Sequence, residues 1–341
     1  MLNFKNENNL LNDRSIFLQN LTNHKIVGDR LIKKLKLTNS LFANLQAACF
    51  NYIVANLLEH EIDYRFNGNY NDFIVNNAEK IIQMSCVTPN GVIRPKLETI
   101  SHFNSIHKAL SLIIKYFNID QNVNKVRAPI SIRIVTSKDK KEILNRPRAN
   151  NKLHSDFWTG AVCDFAVLIP VFGTIETIDV VFCEPVGFNE KYLQEVTDYT
   201  NGNSLYKSYN EYKTTMELGS IFLQDIFCLH GTRRKGEGAR ISIDFTIQSK
   251  QYKDKIEPYY SNKSLKSDNH INIEDWLEIG SSTLILEKES IKNLRKNVNH
   301  YKQTSDAEGK GAAIKLQTSK TMRIINSNSF QDILEFESKK E

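Results

Sequence analysis

The stretch Lys152-Leu-His154-Ser-Asp156-Phe-Trp158-Thr-Gly160 holds a His-x-Asp triplet. On an extended segment, residues two apart point to the same side, so His154 and Asp156 are placed to grip one metal ion together. Such tripeptides arise often by chance, and this one takes its meaning from a third ligand. Gly219-Ser-Ile-Phe-Leu-Gln-Asp-Ile-Phe-Cys-Leu-His230-Gly231 offers one, an apolar strand pattern that ends in His230 and runs into a basic turn. A histidine at a strand end beside a glycine is where a barrel's mouth presents a side chain. Two imidazoles and one carboxylate leave coordination positions open, the set suited to a non-haem Fe(II) oxygenase.

Arg240 and Ser242 add a second function. The turn through Thr232–Gly238 is expected to return the chain antiparallel, placing both residues beside the strand that carries His230. They share the polar face of an alternating segment and jointly suit a carboxylate. Arginine supplies a permanently charged fork and serine one further donor. A dicarboxylic 2-oxo acid would chelate iron with its oxo-acid end and reach Arg240 with the other. His-x-Asp, a later His, and Arg with Ser two residues on form a far more specific pattern than any one part.

Four further features have both a functional and a plain structural reading. Trp158 either walls a substrate pocket or is a core aromatic at the rim. Arg133 is a substrate contact or a surface arginine, and Cys228 a cavity thiol or buried packing. Arg233, Arg234 and Lys235 either recognise an acidic group at the mouth or form a solvated hairpin turn.

The elements that position these residues follow from periodicity. Residues 1 to about 125 read as helical: Leu41, Leu45, Ala48, Cys49 and Tyr52 recur at helical spacing after an Asn39 or Ser40 cap, and Ile106–Phe117 suggests a second helix. His102 and His107 accompany that helix as ordinary surface or satisfied histidines. From about 129 the pattern alternates. Candidate strands cover 129–135, 162–170, 176–184, 219–230 and 239–248, with Ile241, Ile243, Phe245 and Ile247 on one face of the last. Short strands with turn signals and no βα units imply an antiparallel barrel or jelly roll. After 250 the chain is polar apart from Ile273–Leu286 and a helical pattern near Ile291–Leu294, and 303–320 reads as a flexible linker or tail.

Composition narrows the class. The chain has 341 residues and a formal charge of +6, with 45 Lys plus Arg against 39 Asp plus Glu. That charge is mild and interleaved. The clusters Lys33, Lys34, Lys36 and Lys138, Lys140, Lys141 read as solvated surface, not a nucleic-acid face. A hydrophobic fraction of 40% with 13 Tyr and 18 Phe argues against wholesale disorder. Five cysteines without a CxxC pair fit a reducing compartment. The N-terminus lacks signal-peptide order, and the apolar stretch 41–58 is interrupted by Asn44, Gln46, Asn51 and Asn56. The expectation is a soluble cytoplasmic protein with no nucleic-acid or membrane partner.

Three motifs carry a family resemblance: His154-Ser-Asp-Phe-Trp-Thr-Gly160; Ile169-Pro-Val-Phe-Gly-Thr-Ile-Glu-Thr177 with Glu184-Pro185; and Leu229-His-Gly-Thr-Arg-Arg-Lys-Gly-Glu-Gly-Ala-Arg-Ile-Ser242. Over about 129–250 the chain resembles the Fe(II)/2-oxoglutarate-dependent dioxygenase superfamily, in its phytanoyl-CoA-hydroxylase-like group. More narrowly it resembles bacterial oxygenases of streptomycin-type and carbohydrate clusters. The resemblance implies an α+β fold: a double-stranded β-helix (jelly roll, cupin-like) core at 126–250, N-terminal helices at 1–125 bracing it, and a polar C-terminal extension at 251–341 covering the mouth or forming a tail. It implies His154, Asp156 and His230 as iron ligands, and Arg240 with Ser242 as the 2-oxoglutarate anchor. Trp158 and Arg133 are substrate-binding candidates. Fe(II), 2-oxoglutarate and O₂ are the expected cofactor and cosubstrates. The expected substrate is a small molecule, a sugar, nucleotide sugar or glycan precursor that is hydroxylated. The alternatives are oxidation of an amino acid or another natural-product intermediate, or a non-catalytic cupin-like metal-binding protein. Related halogenases replace the carboxylate ligand with a small residue. The presence of Asp156 therefore points to hydroxylation.

Overall fold

The computed structural model describes residues 7–96, 98–137, 149, 151–159, 163–187, 196–251, 270–280, 300–303 and 314–317. In chain order the elements are α1 (Glu7–Gln19), β1 (Val27–Gly28), β2 (Ile32–Lys36), α2 (Asn39–Glu59), α3 (Tyr70–Gln83), α4 (Ile100–Tyr116), β3 (Val123–Arg127), β4 (Ser131–Thr136) and β5 (Phe165–Gly173). There follow β6 (Ile178–Pro185), β7 (Tyr209–Glu211), β8 (Ser220–Asp225), β9 (Leu229–Arg234), β10 (Ala239–Ser249), β11 (His270–Asn272), α5 (Ile273–Leu277), β12 (His300–Gln303) and β13 (Ile314–Gln317). The fold is mixed helix and antiparallel sheet.

One sheet runs β1-β2-β8-β5-β10-β3-β11, with β4 also paired to β10, and a second runs β7-β6-β9. The strand β10 organises the first. Its opening half pairs with β4 and its closing half with β3, and a cis Ala128–Pro129 peptide separates those two partners. The strict alternation of β10 becomes a division of labour. Ile241, Ile243, Phe245 and Ile247 enter a core with the helices, together with Val167 and Ile169 of β5 and Ile221 and Leu223 of β8. Fully burying each such side chain contributes about 1.5–3 kcal/mol. Arg240, Ser242, Asp244 and Thr246 take the opposite face and line a cleft of about 100 Å³ with Val180 and Phe182 of β6. The helices therefore cover one face of the large sheet, and the small sheet faces the other across the cleft.

Helix α2 starts one or two residues earlier than Asn39 or Ser40 suggested, because Thr38 Oγ1 accepts Leu41 N–H at 3.3 Å and is the cap. This helix is long and apolar enough to cross a membrane by length and composition, yet Leu45, Cys49, Tyr52, Ile53 and Leu57 are buried in the helix-side core. Its interior polar residue Asn56 donates to Tyr52 O at 2.8 Å. His107 of α4 is fully buried against Phe103 and Trp276, a core histidine that burial holds neutral.

Several expectations change. The first third is not wholly helical: β2 pairs with β8 inside the large sheet. Lys33 is buried, with Nζ donating to Asp29 O, while Lys34 and Lys36 pair with Glu217 in the loop before β8. The run 219–230 is two strands, because Asp225 Oδ1 accepts Phe227 N–H at 3.1 Å and turns the chain between them. Within 303–320, Ile314–Gln317 forms an antiparallel ladder with His300–Gln303. Lys138, Lys140, Lys141, Gly160 and the pattern at 291–294 lie outside the described residues, as does the Ile273–Leu286 patch beyond Gly280.

Candidate metal centre and cleft

The two histidines meet through their backbones. His154 N–H donates to His230 O at 2.9 Å, and His230 N–H returns to His154 O at 2.8 Å, an isolated antiparallel bridge. That bridge brings the imidazole centroids to 4.4 Å. Beyond His154 the chain does not stay extended, since Asp156–Thr159 forms a 3-10 turn. Ser155 fastens the turn by donating its Oγ hydrogen to Ile226 O at 2.6 Å and accepting Phe157 N–H at 3.2 Å. The turn sets Asp156 Oδ1 3.9 Å from His230 Nε2. One ligand atom from each of His154, Asp156 and His230 then lies within 4.8 Å of the other two.

Neighbouring groups orient both imidazoles. His154 Nδ1 is 2.6 Å from Lys152 O, so it carries the proton and leaves Nε2 with a free lone pair. Burial, followed by the nearby His230, pushes the His154 pKa well down and keeps the ring neutral. The Tyr199 ring stacks on His154 with centroids 4.2 Å apart and planes 7° off parallel. The side-chain amide of Gln224 lies 2.8 Å from His230 Nδ1. The nearer amide atom is Nε2, which also faces Cys228 O at 3.4 Å. Turning the amide over would present its oxygen to Nδ1–H and leave His230 Nε2 bare.

Arg240 is 2% exposed and Ser242 fully buried. Arg240 Nη1 donates to Ile178 O at 3.1 Å, but Arg240 Nε and Ser242 Oγ have no partner. Burial lowers the Arg240 pKa to about 10, which still leaves it cationic at neutral pH. A buried donor without an acceptor costs about 1–3 kcal/mol. This end of the cleft therefore favours an anionic acceptor. Residue spacing led to β10 lying beside the strand of His230, and the structure corrects this. Strand β9 pairs with β6 in the small sheet while β10 sits in the large one, so the chain changes sheets between them. Arg240 lies on the opposite wall from His230 and toward the other end: it reaches Ile178 of β6, whereas His230 pairs with Phe182 four residues along that strand. Gly173, at φ +106°, permits this start of β10: a Cβ there would sit 1.9 Å from Ala239 O.

Arg133 also lines the cleft. Its Nε donates to Asp244 Oδ2 at 3.0 Å and its Nη1 to Asn90 O at 2.8 Å. Burial opposes its charge, and Asp244 outweighs burial and raises its pKa. Trp158 is not among the residues lining the cleft. It is fully buried, its ring directly under Gly202, where a Cβ would come within 2.1 Å of Trp158 Cη2. Cys228 is buried packing, and burial holds its thiol protonated. The basic turn is engaged within the protein: Arg233 reaches Asp179 and Glu211, Arg234 reaches Thr136 O, and Lys235 reaches Asp179.

Gln224, Tyr199 and Asp244 were not found from the sequence. Gln224 had a signal, a polar residue directly after the apolar run Ile221–Leu223, and Asp244 shared the polar face of β10. Tyr199 had none.

No family model matches the chain, and no curated protein matches it. Among solved structures, the chain is similar to SnoK, a non-heme alpha ketoglutarate dependent carbocyclase from nogalamycin biosynthesis. That match has 11% identity and TM-score 0.35, over 71% of this chain and 86% of that one. The corresponding figures for the epimerase SnoN of the same biosynthesis are 8%, 0.32, 76% and 92%. For EctD from S. alaskensis, solved with 2-oxoglutarate and 5-hydroxyectoine, they are 14%, 0.31, 63% and 71%.

Proposed function

We propose that this chain is an Fe(II)- and 2-oxoglutarate-dependent dioxygenase that hydroxylates a small, sugar-derived molecule such as a nucleotide sugar or glycan precursor. The supporting observation is a His-Asp-His cluster sharing one cleft with a buried Arg–Ser pair whose donors lack acceptors. The residues fit the metal: two imidazoles and one carboxylate suit ferrous iron and leave coordination positions for a chelating oxo acid. In this reading residues 126–250 form a double-stranded β-helix core, 1–125 brace it and 251–341 extend it. The protein belongs to the phytanoyl-CoA-hydroxylase-like group and works in the cytoplasm.

When bound, ferrous iron with 2-oxoglutarate and O₂ supplies oxidation of an unactivated C–H bond, with succinate and CO₂ as coproducts. The chain supplies the rest. His154, Asp156 and His230 would hold the ion. Lys152 O keeps the His154 ring in the tautomer with Nε2 free, and Gln224, with its amide oxygen turned to Nδ1, would do the same for His230. Arg240 and Ser242 receive the distal carboxylate of 2-oxoglutarate, giving their unpartnered donors an acceptor. Val180, Phe182, Leu168 and Phe222 give the cleft apolar walls that limit water. Asp156 keeps the carboxylate ligand, consistent with hydroxylation.

Anaerobic addition of Fe(II) and then 2-oxoglutarate tests this. A weak visible metal-to-ligand charge-transfer band is expected, absent in Asp156→Ala and weakened in Arg240→Ala. Folded, iron-loaded protein without the band would leave a metal-binding protein of another kind.

A further inference from the structure

The cleft has a second cationic end. Strand β10 serves as a ruler, because Arg240, Ser242, Asp244 and Thr246 all point into the cleft. Two residues advance a strand by about 6.7 Å, so Arg240 and Thr246 stand roughly 20 Å apart. Arg240 and Ser242 mark one end. Arg133, directly opposite Ser242 on β4, reaches along to Asp244 and feels the charge of Asp156. Gln224, which contacts His230, lies level with Ala166 and through it with Thr246, so the three ligand residues sit toward the Thr246 end of this ruler. Val126 pairs with Ile247, which sets its neighbour Arg127 beside Thr246 at the far end.

The backbone of Arg127 is held firmly. It pairs with His270, and its carbonyl accepts the Trp276 indole N–H at 3.2 Å. Thr246 Oγ1 is engaged with His270 Nε2 at 3.0 Å. Arg127 lines the cleft, and its guanidinium has no hydrogen bond or ion pair among the described residues. The other charges each have a counterpart once a divalent ion and 2-oxoglutarate are in place. Asp244 answers Arg133, the distal carboxylate answers Arg240, and Asp156 with the proximal carboxylate answers the ion. One positive charge is left, at the end remote from the 2-oxoglutarate anchor.

We infer that the primary substrate carries an oxyanion group, a carboxylate or a phosphate, and that Arg127 receives it. The inference rests on the oxygenase reading above, in which Arg240 is committed to 2-oxoglutarate. An arginine fork binds either oxyanion through charge-assisted hydrogen bonds. The reacting carbon then lies between Arg127 and the ligand cluster.

The test uses the full chain with Mn(II) in place of Fe(II) and saturating 2-oxoglutarate. Potassium acetate, inorganic phosphate and neutral acetamide are titrated by calorimetry, and paramagnetic relaxation of each probe reports its approach to Mn(II). Saturable binding of acetate or phosphate near the metal is expected, with none for acetamide. Arg127→Gln should weaken it about tenfold or more and Arg127→Lys should restore part of it. Whichever anion binds more tightly identifies the group as carboxylate or phosphate. Anion binding equal in Arg127→Gln and wild type, acetamide binding equal to acetate, or no saturable anion binding would overturn the assignment. Mn(II) loading and its response to 2-oxoglutarate are read separately by electron paramagnetic resonance. A failed oxygenase site thus appears there, distinct from a failed Arg127 assignment.

Discussion

Arg14 and Arg240 are each 2% exposed, yet their surroundings differ in kind. Arg14, on α1, donates Nε to Asp225 Oδ2 at 2.7 Å and Nη2 to Asp164 O at 2.6 Å, with the Asp164 carboxylate 3.7 Å from Nη1. Asp164 also accepts from Ser249 N–H and Oγ, which ties α1, β5, β8 and the end of β10 together. Around Arg14 the charge is answered inside the protein. Arg240 has a carbonyl and a thioether as its hydrogen-bond partners, an unused Nε, and no ion pair among the described residues. Burial alone therefore does not separate a structural cation from a binding one. Unmet hydrogen-bonding capacity beside a cleft does, because a desolvated charged donor left unpaired is costly and a ligand's acceptor offsets that cost.

That contrast is breakable from both sides. Arg14→Met should cause the largest loss, about 3–5 kcal/mol in urea unfolding, because it strands two buried carboxylates. A loss below about 1 kcal/mol would place Arg14 among the expendable residues.

Asp164 gives the next effect. Burial pushes its pKa up to about 6, against the pull of Arg14 and Ser249. The folded state then holds a proton that the unfolded chain has released between its ordinary value of 3.8 and about 6. Stability falls as pH rises through that window, by up to about 3 kcal/mol for the full shift. Asp164→Asn, which still accepts from Ser249, should flatten the fall. An unchanged slope would assign it to Asp225, which burial also raises.

Arg240→Gln should reverse the pattern of Arg14. Stability is expected to stay within about 1 kcal/mol of wild type, while 2-oxoglutarate affinity falls by about 1.5–3 kcal/mol in anaerobic calorimetry. A stability loss matching that of Arg14→Met, with affinity intact, would erase the distinction. Ser242→Ala should be smallest, about 1 kcal/mol in 2-oxoglutarate affinity with stability unchanged or slightly raised, since it removes an unpartnered hydroxyl.

Much of this was legible in the residues themselves. The alternation of 239–248 gave β10, its two faces and the pairing of Arg240 with Ser242, because strand periodicity is a local property of the backbone. The helical spacing of 41–52 and 106–117 likewise located α2 and α4. Strand β2 was missed because Lys33, Lys34 and Lys36 hide a strand whose partner, β8, lies far along the chain. The single strand read across 219–230 failed because the Asp225 turn matters only once Leu229 must join the other sheet.

The metal cluster divides the same way. The types of His154, Asp156 and His230, and their candidacy as ligands, could be read from composition and spacing alone. Their convergence could not. It depends on a backbone bridge between residues far apart in sequence, on a 3-10 turn held by the carbonyl of Ile226, and on a switch of sheets between β9 and β10. Each of these is a non-local hydrogen-bonding choice, made only when the two sheets close over a shared cleft. The same closure turned Trp158 into the core beneath Gly202 and left Arg127 facing the cleft, outcomes set by packing and not by either residue's neighbours in the chain.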